Sequence, residues 1–150
     1  MKKIGVIGQG YVGLPLALAA AESGYQVLGF DLNSKLVDSL NSGQSHIEDI
    51  PNHYLQKLVN SDRYRASHEP AELSFLDVAV IAVPTPLNQE RNPDLGAVEA
   101  AATLLGRNLK KPTLIINEST SFPGTLRKII APIVNDLAPV SYTHLTLPTN

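Results

Sequence analysis

Ile4-Gly5-Val6-Ile7-Gly8-Gln9-Gly10-Tyr11-Val12-Gly13-Leu14-Pro15-Leu16-Ala17 decides the fold. Its first residues form an apolar, β-branched-rich run with no internal turn signal, which reads as a buried parallel strand. Three glycines at G-x-G-x-x-G spacing then lead into an Ala/Leu-rich segment with helical character, the context a dinucleotide fingerprint requires. Each glycine has its own physical task. Gly8 permits the tight strand-to-helix turn, Gly10 has no Cβ to block a pyrophosphate, and Gly13 lets the helix lie close on the sheet. The free N–H groups and positive dipole end of that helix then point at the phosphates.

A second apolar run, Gln26-Val27-Leu28-Gly29-Phe30, ends in Asp31. That acid lies about 20 residues beyond the glycines, where a carboxylate accepts hydrogen bonds from an adenosine ribose. The competing explanation is a glycine-punctuated turn in some other α/β domain, with Asp31 a solvated strand-end acid. It leaves the strand, the glycine spacing, the helix and the acid as unrelated coincidences.

Composition sets the outer bounds. The 150 residues are 43% hydrophobic and 17% charged, which suits one globular domain with a sizeable core. A formal net charge of -2, with no long Lys/Arg cluster, gives no electrostatic footprint for nucleic acid. No apolar stretch reaches the roughly 20 residues that span a bilayer, and Met1-Lys2-Lys3 leads directly into the first strand, so a cytoplasmic protein is expected. The sequence has no cysteine, which excludes disulfides, Cys-ligated metal sites and a thiol nucleophile within these residues.

Along the chain, Leu14 to Ser23 reads as a helix stopped by Gly24. Asn33 or Ser34 is placed to cap a helix over Lys35 to Leu40 that ends at Gly43, and Gln44 to Pro51 is a loop. His46, Glu48 and Asp49 in that loop fit no usual ligand spacing, so no metal site is predicted. Pro51 suits the first position of a helix running to Asn60, Tyr64 to Ser67 is a short edge strand, and Glu69 to Leu76 a helical turn or two. Asp77 to Val83 is the clearest buried strand. It exits through Pro84-Thr85-Pro86, which holds the Thr85 hydroxyl at the carboxyl end of the sheet, where ligands sit in such folds.

Pro93-Asp94 starts a helix carrying Leu95, Val98, Ala101, Ala102 and Leu105 on its inner face. Thr113 to Ile116 is a further strand delivering Glu118, Ser119 and Thr120 to its carboxyl end before a helix over Leu126 to Leu137. Thr120 is read as functional there, and Thr125 as a cap of that last helix. The predicted fold is α/β, a Rossmann-type doubly wound parallel sheet of strand order 3-2-1-4-5.

Gly8-Gln9-Gly10-Tyr11-Val12-Gly13-Leu14-Pro15, Ile47-Glu48-Asp49, Val83-Pro84-Thr85-Pro86 and Glu118-Ser119-Thr120-Ser121-Phe122-Pro123-Gly124-Thr125, taken in order, resemble the N-terminal NAD-binding domain of the UDP-glucose/GDP-mannose dehydrogenase family. The resemblance covers Lys2 to about Pro139, and its second and fourth motifs are most similar to the UDP-N-acetylhexosamine 6-dehydrogenase branch. It implies NAD as cofactor and a UDP-sugar substrate, whose C6 alcohol is oxidised to a carboxylate in two hydride transfers through a thiohemiacetal on a cysteine. A homo-oligomeric parent serving polysaccharide precursor synthesis is also implied. By motif, Gly8, Gly10 and Gly13 form the cofactor turn, and Tyr11 and Val12 offer backbone amides to the pyrophosphate. Asp31 holds the ribose, Thr85 and Thr120 contact the cofactor, and Thr120 also helps to place the hydrolytic water. One departure is visible: Leu36 stands where the family often has a basic residue, with Lys35 one position earlier.

The family's nucleophilic cysteine, catalytic lysine and asparagine, and its sugar-binding domain follow this region. The expectation is therefore a domain over 1–139 of a truncated gene, inactive alone. Val140 to Asn150 resembles nothing in the family and reads as the translation of a transposase sequencing adapter. Alternatives from other classes are a stand-alone NAD-binding regulatory module and another two-domain NAD-dependent dehydrogenase.

An acid at position 31 predicts that NAD binds more tightly than NADP. A 2′-phosphate would meet a carboxylate and lose two ribose hydrogen bonds, a penalty of roughly 2 to 4 kcal/mol. Titration with both cofactors checks this, and equal affinity would remove Asp31 from the site.

Overall fold

Strand alternation sorts the apolar residues into two layers. In the computed structural model, which describes residues 1–138, five parallel strands are ordered β3-β2-β1-β4-β5. They are β1 (Lys3–Ile7), β2 (Gln26–Phe30), β3 (Tyr64–Ser67), β4 (Val78–Ile81) and β5 (Leu114–Asn117). This is the predicted doubly wound order. The stretch 140–150, read above as adapter translation, lies outside the described residues.

Successive side chains of a strand point to opposite faces, so Val6, Val27 and Val80 join one core while Ile7, Leu28 and Ile81 join the other. The first core is covered by α1 (Gly13–Glu22), α2 (Ser34–Asn41) and α3 (Asn52–Asn60) through Leu14, Leu18, Leu40 and Leu55. The second is covered by α4 (Gly96–Asn108) and α5 (Ala131–Leu137) through Val98, Ala102, Leu105 and Val134. Right-handed crossovers that leave β1 in one direction and β4 in the other put their helices on opposite faces. A crevice therefore opens between the carboxyl ends of β1 and β4. At the opposite end of the sheet, Asp77 accepts from the Lys3 N–H and from Lys111 Nζ, both at 2.7 Å. The Lys111 bond, then the Lys3 bond, hold its carboxyl below the usual range.

Of the local expectations, one of the two offered caps is met and others shift. Asn33 caps α2, its side chain accepting from the Leu36 N–H at 3.2 Å. Pro51 stands one position before α3 instead of at its first residue, with extended backbone. The fourth helix starts at Gly96 and not at Pro93-Asp94, because the Asp94 carboxylate first closes a turn by accepting from the Gly96 N–H at 2.9 Å. The segment from Leu126 to Leu137 is not uniformly α-helical: Leu126–Ile130 is a π turn in which the Ala131 N–H reaches back to the Leu126 carbonyl. Pro132 accounts for it, since its ring has no N–H and crowds the carbonyl four residues earlier. Thr125 stands at the N-cap position as expected, but its side chain makes no capping bond to this helix. Its buried hydroxyl donates to the Phe122 carbonyl at 2.8 Å and closes the turn before it.

Gly13, the first residue of α1, rests against the strand it follows: a Cβ there would land on the carbonyl oxygen of Gly8. Gly13→Ala is therefore expected to lower unfolding stability by about 3 kcal/mol. A urea titration reads this, and an unchanged midpoint would contradict the close contact.

Candidate functional site

The site is built where β1 ends. Gly8 adopts φ +95°, a region that disfavours any side chain, and its N–H donates to the Phe30 carbonyl at 2.8 Å, tying the turn to β2. A Cβ on Gly8 would also lie 2.7 Å from the Ala82 carbonyl oxygen at the exit of β4. Gly10 is different: nothing lies within 4 Å of where its Cβ would be. Beside it, Tyr11 and Val12 are exposed, and no side chain caps α1 at Val12. The turn thus presents backbone and the positive end of a helix to open space.

Asp31 follows β2 directly. Its Oδ2 accepts from the Gln9 N–H and its Oδ1 from the Asn33 N–H, each at 2.9 Å. A carboxylate has about four lone-pair sites. Two are occupied by these backbone donors, which also fix the orientation of the group, and two remain for a ligand.

Two clefts flank the turn and meet at Val83 and Pro84. One, of about 440 Å³, has Gly8 and Asp31 at its edge and walls of Phe30, Leu32, Pro84, Ala97, Ala101 and Leu104. It is an apolar slot suited to a flat heterocycle. The other, of about 320 Å³, is more polar and is lined by Gly10, Tyr11, Val12, Thr85, Glu118 and Thr120, with Ser119 beside them. Ser119 braces it, its hydroxyl donating to the Val83 carbonyl at 2.8 Å and so joining the exits of β4 and β5. Asn117 donates to Ser121 Oγ at 3.1 Å, while its own Oδ1 is buried with no hydrogen-bond partner in the structure.

The structure therefore brings Gly10, Tyr11, Val12, Thr85 and Thr120 to one cleft and Gly8 and Asp31 to the other. Gly13 lines neither and lies beneath the turn. Lys35 lines neither as well, and Leu36 packs against the core of the α1 face. Sequence reasoning missed Leu32, Ala97 and Leu104. The spacing of Ala97, Ala101 and Leu104 marks one helix face, but nothing local says that the face meets a cleft instead of the core.

Over residues 2–146 the chain matches the family described as UDP-glucose/GDP-mannose dehydrogenase family, NAD binding domain. The chain belongs to that family. It is 42% identical over 127 residues to the UDP-N-acetyl-D-mannosamine dehydrogenase of Salmonella typhi, a match covering 84% of this chain and 30% of that protein. Among solved structures it is similar to the UDP-D-ManNAc dehydrogenase of Pyrococcus horikoshii, with TM-score 0.88 and 31% identity over 97% of this chain and 35% of that one. The UDP-glucose dehydrogenase of Pyrobaculum islandicum aligns with TM-score 0.91 and 31% identity, over 98% of this chain and 35% of that one. The chain thus spans about a third of the length of these relatives. NAD is the cofactor of the matched domain.

A Cβ at position 10 would meet nothing within 4 Å, so a side chain there is compatible with the fold. Gly10→Val is expected to leave the circular dichroism spectrum and melting temperature close to wild type while abolishing NAD binding in calorimetry. A folded variant that binds NAD normally would refute the role of the turn.

Proposed function

We propose that this chain is the cofactor-binding part of an NAD-dependent nucleotide-sugar 6-dehydrogenase that oxidises the C6 alcohol of a UDP-sugar to a carboxylate. The observation that carries it is the pair of clefts on either side of the glycine turn, one apolar beside an acid and one polar beside Thr85 and Thr120. They match the two unlike halves of a dinucleotide. In this reading the apolar slot takes the adenine and Asp31 its ribose. Gly8, Gly10 and the backbone of Tyr11 and Val12 cradle the pyrophosphate, and Thr85 and Thr120 line the nicotinamide end. Gly13 acts beneath, by keeping the helix end over the phosphates. NAD supplies the hydride acceptor; the chain's own part is to bind and orient it. In this reading Thr120, an exposed residue of the polar cleft's lining, helps to position water.

The N-acetylhexosamine branch is favoured by the Ile47-Glu48-Asp49 and Glu118–Thr125 motifs and by the 42% identity to an N-acetylmannosamine enzyme. No helix among the described residues is long and apolar enough to cross a membrane. The parent is taken, from the resemblance alone, as a cytoplasmic homo-oligomer. The domain is taken as 1–139, with 140–150 foreign to the gene. The family match runs to 146, so resequencing across the codon for Val140 tests that boundary. Reading the parent gene onward for a second domain with a cysteine tests the function.

Residues 1–139 are expected to bind NAD yet turn over no UDP-sugar. With no thiol in the sequence, no thiohemiacetal holds the aldehyde between two oxidations. A threonine hydroxyl such as that of Thr120 is a weak nucleophile, and the Glu118 carboxylate in the same cleft would give no comparable intermediate. NADH formation with UDP-glucose and UDP-N-acetylhexosamines, followed by absorbance, is the measurement. Sustained production would place the chemistry in this part of the protein and overturn the assignment of roles.

A further inference from the structure

Gln9 occupies a variable position of the glycine turn, yet its side chain is fully buried, at 0% exposure. A buried amide has to satisfy its donors and its acceptor inside the protein. Its Nε2 donates to the carbonyls of Val6 at 2.9 Å and Gly8 at 3.1 Å, and its Oε1 accepts from the Tyr64 hydroxyl at 2.8 Å. The two side chains meet across β2 at Gly29, the one place where β2 leaves room. A Cβ there would collide with Gln9 Oε1 and lie 2.6 Å from the Tyr64 hydroxyl oxygen. Burial first, and the negative charge of Asp31 second, push the Tyr64 phenol up from its ordinary value, so it stays protonated and donates. The backbone N–H of the same Gln9 donates to Asp31 Oδ2. One residue thus grips the carbonyls of the turn from inside and aims its own N–H at the acid.

We propose that Gln9 is a positioning residue of the cofactor site: braced by Tyr64 through the gap at Gly29, it fixes the turn so that Asp31 is held toward the adenosine ribose and NAD is preferred over NADP. This rests on the assignment of Asp31 as the ribose acceptor. The physical point is rotational. With Oδ1 held by the Asn33 N–H and Oδ2 by the Gln9 N–H, the carboxylate cannot turn, and its two free lone-pair sites keep a fixed direction. Releasing the Gln9 amide frees the turn, and with it one of the two tethers. A pair that merely stabilised the core would affect folding and both cofactors alike.

The test compares NAD and NADP dissociation constants and melting temperatures in the full chain for wild type, Tyr64→Phe, Gln9→Leu, Asp31→Ala and the Asp31→Ala/Tyr64→Phe double variant. Tyr64→Phe is expected to weaken NAD by about fivefold and Gln9→Leu by about tenfold, with NADP changed by less than about twofold, so that the preference for NAD falls. In the Asp31→Ala background, Tyr64→Phe should not move the preference further. Lower melting temperatures with an unchanged NAD-to-NADP ratio in the single variants would overturn the proposal and leave the pair a stability feature. Tyr64→Phe removes one oxygen and leaves the ring in place, so it decides the matter should Gln9→Leu fail to fold. Should Asp31→Ala itself leave the ratio unchanged, the ribose assignment fails and the proposal falls with it, an outcome separable from the first.

Discussion

The contact on which the rest of the structure depends is that of Gly13 with the carbonyl of Gly8. It sets the first residue of α1 directly on the end of β1, with Ala82 of the β4 exit close by. No other residue type fits, since a single carbon would occupy the carbonyl oxygen's place. The helix end is thereby held above the carboxyl ends of β1 and β4, where the two halves of the sheet diverge and a crevice is unavoidable. The ligand-binding end of the fold is thus a by-product of how closely the first helix packs.

The three glycines of the turn consequently stand for three different constraints. Gly13 answers to a helix against a backbone oxygen, and Gly8 to a positive φ beside the Ala82 carbonyl. At Gly10 the carbonyl accepts from the Leu14 N–H, but nothing in the protein bars a side chain, for the space around a Cβ there is open. A glycine whose Cβ would meet nothing in the protein leaves the backbone open to close approach by a ligand. That contrast makes Gly10 the most informative of the three for function, and Gly13 the most informative for stability.

Much of this was legible in the sequence because it is local and periodic. The apolar runs gave the strands, the turn glycines and Asp31 gave the β1-α1-β2 unit, and the polar residues after two buried strands gave Thr85 and Thr120 at the same end of the sheet. What escaped is non-local or depends on a single competing group. Pro132 opens the last helix into a π turn that periodicity does not register, and the Asp94 side chain delays α4 to Gly96. Gln9, Gly29 and Tyr64 are dispersed over 55 residues and none follows a pattern. The need for glycine at 29 appears only when the other two side chains are in place.

Asp31 shows how fold and site share atoms. Its carboxylate closes the Asn33 turn that begins α2 and also receives the N–H of Gln9 from the glycine turn, so it joins the exit of β1 to the start of α2 before any ligand arrives. A replacement chosen only to relieve repulsion against a 2′-phosphate also releases these two backbone donors. Asparagine keeps one acceptor oxygen of the two, and alanine keeps neither. Left unpartnered, the part-buried Gln9 N–H costs about 1 to 3 kcal/mol, whereas the exposed Asn33 N–H is open to water. With Asp31 proposed as the ribose acceptor, cofactor preference at this position is coupled in that reading to the order of the glycine turn. In the proposed reading, a change of preference needs a group that receives the Gln9 N–H as well as one that accommodates the phosphate.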